Sequence, residues 1–181
     1  MTLAAAGRGG TRLFDVATGR LLLRIQAGDV TSGLAFSPNG GRLAVSNIDR
    51  LLYPHVTDNV CVVDIEYDRG IQTERGLSSP IEKVAFSPDD RLLAALSHES
   101  RLGVWDRVKN HLLHVFDAPQ AAWVDNAAFA FSPDNRQLAY SGSGMTTGEV
   151  KLWEIESGKE VGTWRIPPGL NNIIAFPSQD K

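Results

Sequence analysis

Few side chains in this sequence stand at spacings that suit chemistry, and each of them also has a plainer role open to it. His111 and His114 form an H-x-x-H pair. On a strand, three positions apart means opposite faces, and a metal needs further convergent ligands, so no metal site is expected. Ser37, Ser87 and Ser132 are hydroxyls that recur with the same neighbours, and a residue repeated that way serves architecture rather than acting as one nucleophile. The stretch Gly142-Ser143-Gly144-Met145-Thr146-Thr147-Gly148 is glycine-rich. It joins two strand-like segments and opens no helix, so it lacks the helix N-terminus with which a phosphate cradle works. Cys61 is the single cysteine; it excludes an internal disulfide and reads as a small buried hydrophobe. No catalytic constellation stands out, and no cofactor is expected.

The elements that must position these residues announce themselves by repetition. Phe36-Ser37-Pro38-Asn39, Phe86-Ser87-Pro88-Asp89 and Phe131-Ser132-Pro133-Asp134 recur, with a degraded Phe176-Pro177-Ser178, at spacings of 50, 45 and 45 residues. A period of roughly 40 to 50 residues is that of a propeller blade. Each phrase comes after a short apolar segment and precedes another, such as Arg42-Leu43-Ala44-Val45 or Leu92-Leu93-Ala94-Ala95. Proline presets φ for the first central position of a turn, and Asn or Asp tolerates the bridge and left-handed conformations next to it, so the phrase predicts a hairpin connection. A second block recurs after it: Arg12-Leu13-Phe14-Asp15, Val62-Val63-Asp64, Val104-Trp105-Asp106 and Leu152-Trp153-Glu154. These blocks run into turn residues such as Ala17-Thr18-Gly19 and Glu156-Ser157-Gly158. Strands in hairpin-connected sets of four are the result.

In these two phased motifs the chain resembles the WD40-repeat family. The resemblance implies an all-β β-propeller of four-stranded antiparallel blades, with strands a to d counted outward from the axis. The residues before each Phe-Ser-Pro would form strand a, the Leu-Ala segment strand b, and the Trp-Asp segment strand c. Phe36, Phe86, Trp105, Asp106, Phe131 and Trp153 are then structural blade residues. The Gly-His pair of the family's most regular blades is missing, and Phe14 and Val63 stand where the Trp belongs. Ser97 with Trp105, and Ser141 with Trp153, are candidate remnants of the family's buried network, with Glu99 in place of the turn Asp. Blades without that network should rely more on apolar packing between sheets.

Composition fits this picture. Hydrophobic residues make up 43% and charged ones 22%, ordinary for a globular domain. The formal net charge of −3 comes with no run of Lys or Arg, which argues against a nucleic-acid partner. No segment reaches the roughly 18 apolar residues of a membrane span, and no signal-peptide pattern opens the chain; the cytoplasm is the default compartment.

The whole chain, 1–181, is expected to be one propeller segment. Its approximate blades are 1–29 (strands b, c and d only), 30–78, 79–118, 119–168, and 169–181 (a lone strand a). Such a count amounts to about half the ring of a typical member of the family. Three assemblies are compatible with it: a fragment of a longer propeller, a homodimer closing an eight-bladed ring, or four blades closed by the C-terminal strand.

Connection lengths suggest where function sits. From the Leu of strand b to the acid ending strand c, the four sets span 13, 22, 14 and 17 residues. The second set therefore carries the largest insertion, and by resemblance the b–c and d–a loops share the partner-binding top face. That insertion offers Arg50, Tyr53 and His55, and Arg and Tyr are enriched in interface hot spots; its plainer reading is that Leu51, Leu52 and Tyr53 extend the hairpin. Trp123, in the long d–a connection 118–125, is either a binding anchor or tucked under its own loop. His98 lies on the same face as either a site residue or a solvated turn histidine. The function implied is a protein- or peptide-binding scaffold or sensor segment without catalysis of its own. The competing class is an enzyme or cofactor-binding propeller in which polar groups such as Asp49, Glu99 and Asp125 meet at the channel.

Overall fold

The computed structural model describes residues 1–7, 9–25, 31–47, 60–65, 72–74, 77, 79–119, 127–143, 148–168 and 173–177. Hydrophobic alternation and the recurring turns resolve these residues into fifteen described strands and no helix.

The strands fall into four antiparallel sheets, each ordered as the chain runs. The first holds β1 (Thr2–Gly7), β2 (Gly10–Asp15) and β3 (Leu21–Ile25). The second holds β4 (Thr31–Phe36), β5 (Arg42–Asn47), β6 (Val60–Asp64) and β7 (Gln72–Glu74). The third holds β8 (Ile81–Phe86), β9 (Leu92–Ser97), β10 (Arg101–Asp106) and β11 (His111–Asp117). The fourth holds β12 (Ala128–Phe131), β13 (Gln137–Ser143), β14 (Gly148–Glu154) and β15 (Glu160–Ile166). Residues 173–177, expected to lie in a lone strand a, adopt no strand. A strand needs a partner for its backbone donors and acceptors, and no described strand pairs with this segment.

The Phe-Ser-Pro phrase works as turn chemistry. In all three copies the serine hydroxyl bonds the acid or amide two positions on, Ser37 to Asn39 Oδ1 at 2.7 Å, Ser87 to Asp89 Oδ1 at 2.6 Å and Ser132 to Asp134 Oδ1 at 2.6 Å. The same serine oxygen accepts the backbone N–H of Arg42, Leu92 and Gln137. Gly40, Asp90 and Asn135 supply the left-handed residue, at φ of 73°, 61° and 61°. Gly takes such an angle without strain, and Asp and Asn are the L-residues that tolerate it best.

Because side chains alternate across a strand, each internal sheet packs both ways. Leu93 and Ala95 of β9, with Trp105, join a core with Ala44, Val60 and Val62 of the second sheet. Leu92, Ala94 and Leu96 of the same strand join another core with Leu138, Tyr140 and Trp153 of the fourth sheet. Leu13 and Ile25 meet Leu43, Val45 and Val63 between the first and second. Burial of these apolar faces, not one central core, holds successive sheets together, as in other repeat arrays. On the innermost strands, Ser32 Oγ donates to Ile81 O and Lys83 Nζ to Ala127 O, tying the second sheet to the third and the third to the fourth.

The ring is not closed. Its end sheets expose Leu3, Leu21 and Leu22 on one side and Val161 and Trp164 on the other. Among the described residues no helix is long and apolar enough to cross a membrane.

Candidate partner-binding site

Strand direction gives the array two edges. The a–b and c–d turns leave from one edge, and the b–c and d–a connections from the other, the top.

On the top edge, the third sheet shows how the rim is built. The β9–β10 turn is tight, with Ser100 left-handed at φ 60° and its N–H bonded to Ser97 O at 3.0 Å. His98 leads into it, its N–H donating to Pro80 O at 2.8 Å and its Nδ1 lying 3.0 Å from Glu82 Oε1. The imidazole remains half exposed beside that carboxylate. Glu99, also exposed, gives its N–H to Ser79 Oγ at 3.4 Å. Below the rim, the buried Tyr140 hydroxyl donates to Pro119 O at 2.9 Å, and burial pushes its phenol pKa up to about 12. Sequence reasoning singled out His98 but missed Glu82; only the alternation of β8, which sends every second side chain to one face, offered a signal for it. Arg50, Tyr53, His55 and Trp123 lie outside the described residues, as do Asp49 and Asp125.

Most of the blade residues expected to be structural are deep in the sheets. Trp105 and Trp153 are 2% and 4% exposed. Trp153 stacks on Phe116 at 4.8 Å between ring centres, which bridges the third and fourth sheets. Phe131 is buried, whereas Phe36 and Phe86 are half-buried. Phe86 carries the Arg107 guanidinium 5.0 Å over its ring, a favourable cation–π arrangement. Ser97 Oγ, expected as a remnant of the tryptophan network, accepts the Arg101 N–H at 3.1 Å. His114 packs its ring against Phe116 at 5.7 Å and over Gly158 of the fourth sheet.

The opposite edge holds a cleft of about 590 Å³ between the third and fourth sheets. Leu92, Leu113 and Ile155 give it apolar lining. The third sheet contributes Asp89, Arg91, Asp106 and Lys109, and the fourth Asp134, Arg136, Glu154 and Glu156. Asp106, 1% exposed, is fully engaged: its Oδ1 accepts the N–H groups of Val108 and Lys109 at 3.0 Å, and its Oδ2 takes Arg91 Nη2 at 2.9 Å. Those bonds, the turn N–H of Lys109 first, hold its carboxyl below the usual carboxylate range. No sequence motif pointed to this cleft, because it exists only where two sheets' turns meet.

Comparisons with known proteins agree with the architecture. Residues 71–106, from the end of the second sheet through β10, match the family described as WD domain, G-beta repeat. Telomerase protein component 1 of Rattus norvegicus is 26% identical over 129 residues, which is 69% of this chain and 4% of that protein. Eukaryotic translation initiation factor 3 subunit I of Pyricularia oryzae is 24% identical over 103 residues, 56% of this chain and 28% of that protein. The chain thus spans less than a third of either relative. Among solved structures, Kuenenia stuttgartiensis hydrazine synthase superposes with a TM-score of 0.69 over 87% of this chain and 43% of that one. At 18% identity, that likeness concerns the fold alone. The WD domain match is confined to residues 71–106, and the sheets on either side repeat its strand order and turn chemistry; in these features the chain is similar to WD40-repeat proteins, and its fold is a β-propeller array whose ring is not closed.

Proposed function

We propose that this array is a protein- or peptide-binding scaffold or sensor segment without catalysis of its own, and that recognition occurs on the top edge through Arg50, Tyr53, His55, His98 and Trp123. The observation that supports this reading is the His98 rim: a half-exposed imidazole held at 3.0 Å by Glu82 stands on the edge from which the long b–c insertion and d–a connection leave. Extended connections on one side of a repeat array commonly form its binding side. A single buried, free cysteine suits a reducing compartment such as the cytoplasm.

Alanine substitutions at the five positions test the reading, with Val108→Ala as control because Val108 is 79% exposed in a turn of the opposite edge. Capture of partners from native lysate should weaken in the top-edge variants while their melting temperatures stay near that of the parent. Loss of capture in Val108→Ala alone would place the site on the wrong edge.

The exposed apolar side chains of the two end sheets also suggest that further blades cover them, from a longer parent chain or a second copy. Light scattering of the isolated array should then show self-association. A clean monomer with a cooperative melt would instead mean that these four sheets suffice.

A further inference from the structure

The cleft between the third and fourth blades lies on the edge away from the proposed top-face site, and its surface is divided in character. Its apolar lining comes from Leu92, Leu113 and Ile155. At about 590 Å³ it falls within the roughly 300–1,000 Å³ of pockets that enclose small ligands or a few side chains. Five carboxylates face three cations around it, a net of −2. The imbalance is local. On the third-blade wall Arg91 is committed to Asp106, with Nη2 at 2.9 Å. On the fourth-blade wall Glu154 spends one oxygen, Oε2, on the Ser157 hydroxyl at 2.6 Å, and Glu156 has no ion-pair partner among the described residues.

We propose that this cleft is a second docking groove, for an extended peptide that places an arginine or lysine beside an aliphatic side chain. The aliphatic group would cover Leu113 and Ile155, and the cation would meet Glu154 and Glu156. Charge-assisted contacts are stronger than neutral ones, and an acidic segment would bring like charge to the exposed Glu154 and Glu156, whereas a basic one offsets the net negative charge that Arg136 and Lys109 leave in the lining. The inference is independent of the top-edge reading, since no residue is shared between the two surfaces.

The test is fluorescence anisotropy with the full chain and a labelled short peptide bearing Arg-Leu-Arg in a Gly/Ser frame, compared with its Glu-Leu-Glu counterpart. The basic peptide should bind preferentially, with affinity falling as salt is raised across the physiological range. Glu154→Gln with Glu156→Gln should weaken it about tenfold, a change of about 1.4 kcal/mol. Lys109→Glu, which removes a competing cation, should strengthen it several-fold, and His98→Ala should leave it unchanged. Should the double variant lose its fold, Glu156→Gln alone and Lys109→Glu carry the test, because both side chains are solvent-exposed. Equal binding of the two peptides, indifference to the groove variants, or loss only in His98→Ala would overturn the proposal.

Discussion

Arg42 of the second blade reaches across to Asp90 of the third, Nη1 to Oδ2 at 2.9 Å, and so ties one turn to the next. Asp90 also takes Asn39 Nδ2 at 3.2 Å and, from its own blade, Arg107 Nη1 at 3.0 Å. It does so from the left-handed position of its turn, where the second blade has Gly40 and the fourth has Asn135. Asn135 repeats the reach-back, accepting the Asp89 N–H at 3.2 Å. Asp90→Ala should cost about 3 kcal/mol or more, because the Arg107 side chain is 5% exposed and would lose a charged partner in a low-dielectric setting. Arg42→Ala should cost less than about 1 kcal/mol, its side chain being 40% exposed. Urea denaturation of both variants checks the order; equal losses would mean that the tie between blades, not the Arg107 pair, dominates.

Gly103 and Gly162 make matched controls for one packing device. A Cβ at Gly103 would lie 2.5 Å from the Trp105 ring, and one at Gly162 would lie 2.3 Å from the Trp164 ring. Trp105 is locked between blades at 2% exposure, while Trp164 is 53% exposed and free to swing out. Gly103→Ala should therefore destabilise the array by about 2 kcal/mol through overpacking, and Gly162→Ala by much less. Thermal melts with near-UV circular dichroism separate the two, and a loss at Gly162 as large as at Gly103 would show that Trp164 is held in place.

How much of this is legible in the sequence depends on the range of the interaction. The Phe-Ser-Pro turns and the short apolar runs that flank them, such as Leu92 to Leu96, are local, and local rules are enough to read strand order from them. Trp105 and Trp153 can be assigned to blade interiors because their motif recurs in phase. Asp90 reads in sequence only as a turn residue, since its partners lie 48 and 17 positions away: Arg107 meets it once the strands of its own blade pair, and Arg42 only once blades stack. The cleft is invisible for the same reason: Asp89 and Asp134 look like equivalent, purely structural turn positions until their two turns face each other across Leu113 and Ile155. Residues 173–177 illustrate the converse, because a short apolar run before a turn phrase records a capacity to pair and not the presence of a partner.

Cys61 offers a probe of the second blade. It is 7% exposed on β6, opposite Val45 and Thr73, and burial raises its thiol pKa. The thiolate is the reactive species, so the native chain should react with a maleimide or disulfide reagent far more slowly than the urea-unfolded chain near neutral pH. Because the buried thiol sits further below its pKa, raising the pH should speed native labelling, in proportion, at least as steeply as it speeds labelling of a free thiol, which levels off sooner. Native labelling at the unfolded rate would mean that this blade opens readily.

Asp106 gives the array an acid sensitivity with a defined sign. Its carboxyl titrates below the ordinary carboxylate range because the Lys109 and Val108 N–H groups and Arg91 all favour the charged form, against the desolvation that opposes it. A folded-state pKa below the unfolded one contributes stability that is fully present above about pH 4 and is lost as the pH falls through the lower folded value. Asp106→Asn keeps an acceptor for the turn N–H groups and should cost about 1 kcal/mol at neutral pH, whereas Asp106→Ala removes that acceptor and the buried carboxylate's whole set of bonds and should cost about 2 kcal/mol. Both variants should also flatten the fall in urea midpoint between about pH 5 and 3 relative to the parent. A parent-like acid slope in Asp106→Asn would assign the sensitivity to other carboxylates, with Asp134, whose pKa is also lowered by its turn, the next to substitute.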